Sequence, residues 1–201
     1  MLKRIGIILV AISLSSCSLL SPVASEQSLY EINMAPHHVV KSHKRAGTLL
    51  VMSPKTSAIY NTTDMAYSTH PHEVAYFAKN VWAARPAEML KPLIINTLQR
   101  THRFNAVISS EFVGDHSYVL STQILELEQV FAPGCKHSDV HLAVRAELVR
   151  STNGINQVVA TKNFVIIEPA PQNSPYGGVI AANHATAKML KKLARFCVRK
   201  S

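Results

Sequence analysis

Three cysteines and ten histidines carry most of the covalent and coordination chemistry open to this 201-residue chain. Cys17 stands out through what precedes it. Lys3 and Arg4 give a positive start, an apolar run extends from Ile5 to Leu14, and Leu14-Ser15-Ser16 leads to the cysteine. The apolar run is about half the roughly 20 residues that a membrane-spanning helix requires, which is the pattern of a secretory signal. Charge, apolar run, small residues and cysteine in that order match a bacterial lipobox. The Cys17 thiol would take a diacylglyceryl group and its amine an acyl chain, and several chains together anchor a protein stably without spanning the bilayer. The expected layout is a signal peptide over 1–16, a lipidated tether over 17–28 and a water-soluble domain over 29–201. Ser18 follows the cysteine where an aspartate would favour inner-membrane retention. The expectation is therefore the outer membrane, with the domain on its periplasmic face.

Cys135 and Cys197 remain. Export permits a disulfide between them, and the sequence leaves open whether they meet. Cys135-x-His137-x-Asp139-x-His141 offers zinc-ligand types at period two, which places four side chains on one face of an extended segment. Evenly spaced ligands along one strand converge poorly on a tetrahedral ion, and Pro133-Gly134 signals a turn just before, so a polar strand face is expected and no metal. His37-His38 and His70-Pro71-His72 read as surface polar groups. Asp115-His116-Ser117 contains the residue types of a hydrolytic triad, but neighbours in sequence cannot form its geometry. The chain has no nucleophile elbow, phosphate-binding glycine loop or His-Glu-x-x-His helix. The expected protein is not an enzyme and carries no cofactor.

Composition is that of a folded domain, with 47% hydrophobic and 16% charged residues and only 7 glycines, which excludes general disorder. Of the formal charge of +9, Lys3 and Arg4 supply two, leaving +7 after the signal. A basic exported surface suits anionic headgroups or acidic proteins; nucleic acid is not an expected partner there.

The elements that must position these residues follow from periodicity. Strands are expected at Thr48–Met52, Ile59–Tyr60, Met65–Tyr67 and Phe104–Ile108, then at Ser117–Phe131, Val140–Val149 and Gln157–Ile167. Asn153-Gly154 forms the hairpin turn between the last two. Val74, Phe77, Val81 and Trp82 recur at three- and four-residue spacing and predict a helix opened by Pro71-His72-Glu73. A second helix runs from Pro86 to about Arg100 with Pro92 awkwardly inside, and a third from Val179 to about Cys197 turns Lys188, Lys191, Lys192 and Arg195 away from its apolar face. The fold class is α+β, an antiparallel or mixed sheet with two or three helices on one face. Tyr76 and Trp82, near Glu73 and Arg85, are candidate partner contacts.

The stretch from Ile59-Tyr60 through Met65-Ala66-Tyr67 to Glu73-Val74-Ala75-Tyr76-Phe77-Ala78-Lys79-Asn80-Val81-Trp82-Ala83-Ala84-Arg85-Pro86, with Phe104-Asn105-Ala106-Val107 beyond it, resembles the ABC-type transport auxiliary lipoproteins. These accompany MCE-type lipid transport machines such as the Pqi system. The resemblance covers most of Leu49 to Phe196. It implies a compact α+β domain similar to the N-terminal domain of TolB, and an outer-membrane lipoprotein that docks to the periplasmic parts of an MCE/ABC lipid transporter. It also allows a ring of identical subunits. Two other readings stay open: a structural or assembly lipoprotein of the envelope, and a periplasmic ligand- or metal-binding module.

Overall fold

The computed structural model describes residues 26–109, 115–132, 134, 137–152 and 154–201. One mixed sheet of nine strands carries two helices. In chain order the strands are β1 (Ser28–Tyr30), β2 (Ala46–Val51), β3 (Lys55–Thr56), β4 (Asp64–Ser68), β5 (Ala75–Trp82), β6 (Phe104–Ser109), β7 (Tyr118–Phe131), β8 (Ser138–Thr152) and β9 (Ile155–Pro169). The helices are α1 (Pro86–Gln99), between β5 and β6, and α2 (Pro175–Lys200) at the end.

β7 is the spine. Along one edge it pairs in parallel with β2 at Tyr118–Leu120, with β3 at Gln123–Ile124 and with β4 at Gln129–Val130. Its other edge pairs antiparallel with β8 over nearly its whole length, and β8 pairs with β9. The Asn153-Gly154 turn signal marks this hairpin. Gly154 sits at φ +79°, a conformation that glycine adopts without strain, and Thr152 pairs with Ile155. A bulge in β7 between Ile124 and Glu126 exchanges the strand's two faces. Before it Tyr118, Leu120, Thr122 and Ile124 point to the core; after it Leu127 and Gln129 do.

The core lies between the sheet and the helices. Leu49, Val51, Leu120, Ile124, Val144 and Leu148 from the sheet are fully buried, as are Ile94 and Leu98 of α1 and Met189, Leu190 and Leu193 of α2. α1 starts at Pro86, where a missing N–H costs nothing. Glu88 accepts a hydrogen bond from the Arg85 amide at 3.2 Å. Pro92 lies within the helix on its solvent side. α2 is capped by Ser174, whose Oγ accepts from the Gly177 amide at 3.1 Å. Gly178 lets this first turn approach the sheet, since a Cβ there would meet Gln129 Oε1 at 2.2 Å.

Two expectations are corrected. The helix over Val74–Trp82 is instead strand β5, and Pro71-His72-Glu73 is part of the turn before it. Spacings of three and four among β-branched and aromatic residues were a coincidence of register. Along the strand Phe77 turns inward to stack on Tyr67 (4.5 Å) while Tyr76 points out, and Val81 and Trp82 at its end are both buried. Ile59–Tyr60 belongs to a short 3₁₀ turn, Ala58–Tyr60, not a strand.

Candidate functional site

The described chain begins beside the start of α2. Tyr30 of β1 lies 5.9 Å from Tyr176, ring centre to ring centre. Residues 31–34 are then clasped by Asn183, an amide buried in mid-helix. Asn183 Oδ1 accepts from the Asn33 and Met34 amides at 2.9 and 3.0 Å, and Nδ2 donates to the carbonyls of Glu31 (3.0 Å) and Val179 (3.1 Å). Farther along, the Arg100 guanidinium donates to the carbonyls of Pro36 and His37 at 2.8 and 2.6 Å. Cys17, the expected lipid attachment, lies outside the described residues.

Across β4, β7 and β8 the sheet face turned away from the helices carries a polar cluster. Tyr60 donates to Glu128 at 2.9 Å, Ser68 donates to the other Glu128 oxygen at 3.3 Å, and His141 contacts Glu126 at 3.2 Å. Burial first, and then the Glu128 carboxylate, push the Tyr60 hydroxyl well above its ordinary range, so it remains a donor. Glu73, in the β4–β5 turn, is held below the usual carboxylate range by Thr69, which donates from its hydroxyl at 2.7 Å, and by His70.

Of the predicted partner contacts, Trp82 is only 5% exposed and packs into the core, which withdraws it from contact. Tyr76 is 44% exposed, its hydroxyl donating to the Ile59 carbonyl at 2.9 Å. Cys197 is a free, fully buried thiol, pushed up to about 12 by desolvation. Cys135 lies outside the described residues. Ser138 shares the Gln129 amide with the Ser174 carbonyl at the start of α2. Among the described residues no three His, Cys, Asp or Glu side chains gather at metal-binding distance. No described helix is long and apolar enough to cross a membrane.

The most distinctive surface is where α2 meets the last strand. β9 hydrogen-bonds to β8 alone among the described strands, so its outer edge carries no partner strand. On the helix side it presents Lys162, Phe164, Ile166 and Glu168; on the other, Val165 and Ile167 are 59% and 57% exposed. Alongside runs the solvent face of α2, with His184, Lys188, Lys192, Arg195 and Arg199 at spacings of three and four and Lys191 beside them. Two concavities lie between strand and helix, lined by Ala160–Ile167 and by Lys188, Lys191, Lys192, Arg195 and Arg199. Glu168, 7% exposed, accepts from Lys188 and lies 3.9 Å from His184. Lys191, Lys192, Arg195 and Arg199 have no carboxylate partner among the described residues. Sequence reading found the lysines but not Glu168 or Asn183. The inward alternation Phe164, Ile166, Glu168 pointed to the first; an asparagine interrupting a small apolar helix face pointed to the second.

The described domain is a single mixed sheet under two helices, with a basic helix face beside an open strand edge. The family model for the ABC-type transport auxiliary lipoprotein component matches residues 30–194, and the chain belongs to that family. Solved structures share the fold at low identity. Protein XCC0632 from Xanthomonas campestris, assigned to the DUF330 family, superposes with a TM-score of 0.74 at 18% identity, over 86% of this chain and 96% of that one. The hypothetical protein CT253 from Chlamydia trachomatis gives 0.51 at 8% identity over 77% and 96%. No curated protein sequence matches the chain.

Proposed function

We propose that this chain is an outer-membrane-anchored periplasmic lipoprotein, non-enzymatic, that serves as the auxiliary component of an MCE-type ABC lipid transport system. The observation that carries the reading is the family match over 30–194, nearly the whole domain that follows the tether. Cys17 holds the acyl chains, and Ser18 leaves the protein free to leave the inner membrane. The role is positional: the anchor fixes the domain at the membrane while its exposed surfaces, Tyr76 among them, receive the periplasmic end of the transporter, one copy alone or several in a ring.

The test is affinity purification of the full-length protein from its native host in mild detergent, with mass spectrometry of what accompanies it. An MCE-domain protein or its ATPase is the expected companion. Recovery of cell-wall or unrelated outer-membrane components alone would replace this reading with that of a structural envelope lipoprotein.

A further inference from the structure

We infer that the outer edge of β9 and the cationic face of α2 together form a docking site for an extended partner segment whose side chains alternate acidic and apolar. The site is a property of this chain's surface and does not depend on which envelope assembly the chain serves.

Sheet edges present a row of unpaired amides and carbonyls, and folded proteins blunt them with short strands, prolines or inward charges. β9 is 15 residues long, and its one proline, Pro169, comes at its end. Lys162 and Glu168 place charges on the helix side at the two ends of this stretch, but between them the edge carries no proline or charge on its open side, where Val165 and Ile167 stand out. A strand added there would hydrogen-bond to the backbone and alternate its side chains between the two faces. On the open face they would meet Val165 and Ile167, which favour apolar neighbours. On the helix face they would meet Lys192, Arg195 and Arg199, which favour carboxylates.

The spacing agrees. Along α2 the cations at 188, 192, 195 and 199 rise by about 6.0, 4.5 and 6.0 Å, and same-face side chains on a strand repeat at about 6.8 Å, within reach of flexible lysine and arginine stems. Glu168 already shows the interaction: a carboxylate on the helix face of β9 that sits on Lys188 beside His184. An added strand would repeat that contact along the cations that still lack an acid.

The probe is a fluorescent synthetic peptide of about nine residues alternating glutamate and valine, titrated against the full chain in mild detergent at physiological ionic strength. Its binding is expected to slow hydrogen exchange over residues 160–168. A Lys192→Glu, Arg195→Glu double variant should weaken it about tenfold or more with unchanged melting. Both positions are exposed, and the peptide controls need no variant. Equal binding of a lysine-for-glutamate peptide would overturn the charge assignment. Equal binding of a peptide N-methylated at alternate amides would overturn strand addition. Slowed exchange caused by phosphatidylglycerol vesicles but not by the peptide would give the surface to lipid. Slowed exchange in the concentrated chain alone would give the edge to a second copy. Either outcome overturns the proposal.

Discussion

Cys197 illustrates how a single buried group sets a pH limit. Desolvation raises its thiol from 9.0 to about 12, so the folded state holds the proton more tightly than the unfolded chain. That contribution is fully present below pH 9 and is lost as pH rises toward 12, at up to about 1.4 kcal/mol per pH unit. Denaturant titrations of wild type and Cys197→Ala across this window should show a shallower alkaline decline for the variant. Tyr60 acts with the same sign above its ordinary value, so the variant's decline persists in part. Equal slopes would refute the assignment. At the other end of the chain, Cys17→Ser removes the sulfur that lipidation needs. The variant is expected to leave the membrane fraction and lose the mass of its acyl chains; membrane retention at unmodified mass would contradict the anchor. The Cys17 expectation rests on a local signal, a matter of order along the chain, which this experiment tests. The fate of Trp82 was not, because aromatic residues near charges look alike whether they face a partner or the core, and burial depends on what the rest of the chain brings to them.

At the scale of elements, α2 does more than cover the sheet. Through Asn183 it holds the 31–34 segment, which has no strand partner of its own beyond β1. Asn183→Ala removes the acceptor of two amides and the donor to two carbonyls, and leaves the part-buried backbone groups of 31–34 without that partner. A loss of about 2–3 kcal/mol is expected, read as a lower denaturant midpoint at constant slope. A change below about 0.5 kcal/mol would show that water replaces the clasp. The hairpin of β8 and β9, α1 and α2 were readable because turn chemistry and 3.6-residue periodicity are local. β7 was legible as a strand over nearly its full length, but not its facing, because the bulge at Leu125 swaps inward parity midway, so Leu120 and Ile124 obey one phase and Leu127 the other. β5 failed for a related reason: eight residues are too few to separate a helical period from chance, and only pairing with β4 and β1 decides it.

For the whole molecule, β7 joins elements from both halves of the chain, since β2, β3 and β4 from the first half all meet it on one edge and β8 from the second on the other. A sheet joined through one central strand is expected to unfold cooperatively. Trp82 is the one tryptophan and is buried beside β1, far in sequence from α2. Its fluorescence and the far-ultraviolet circular dichroism, dominated by the helices, are expected to give coincident unfolding curves. Separate midpoints would mean that the sheet and α2 melt independently. The α+β class and two of the helices were legible from pattern. The order of strands was not, because the parallel pairings of β2, β3 and β4 with β7 link residues far apart in sequence and leave no local mark.

The path of the chain near its beginning also makes the domain a mechanical object. A pull on residues ahead of Ser28 runs first through three residues of β1, laid parallel to β5, and next reaches the three hydrogen bonds by which Asn183 holds residues 31–34. From there the tension passes into the longest helix of the molecule, seated across β8 and β9. A force arriving from that end would therefore be spread over the hairpin and α2 together, and the strain of holding a membrane-bound domain in place would be shared by the same pair of elements that borders the open strand edge.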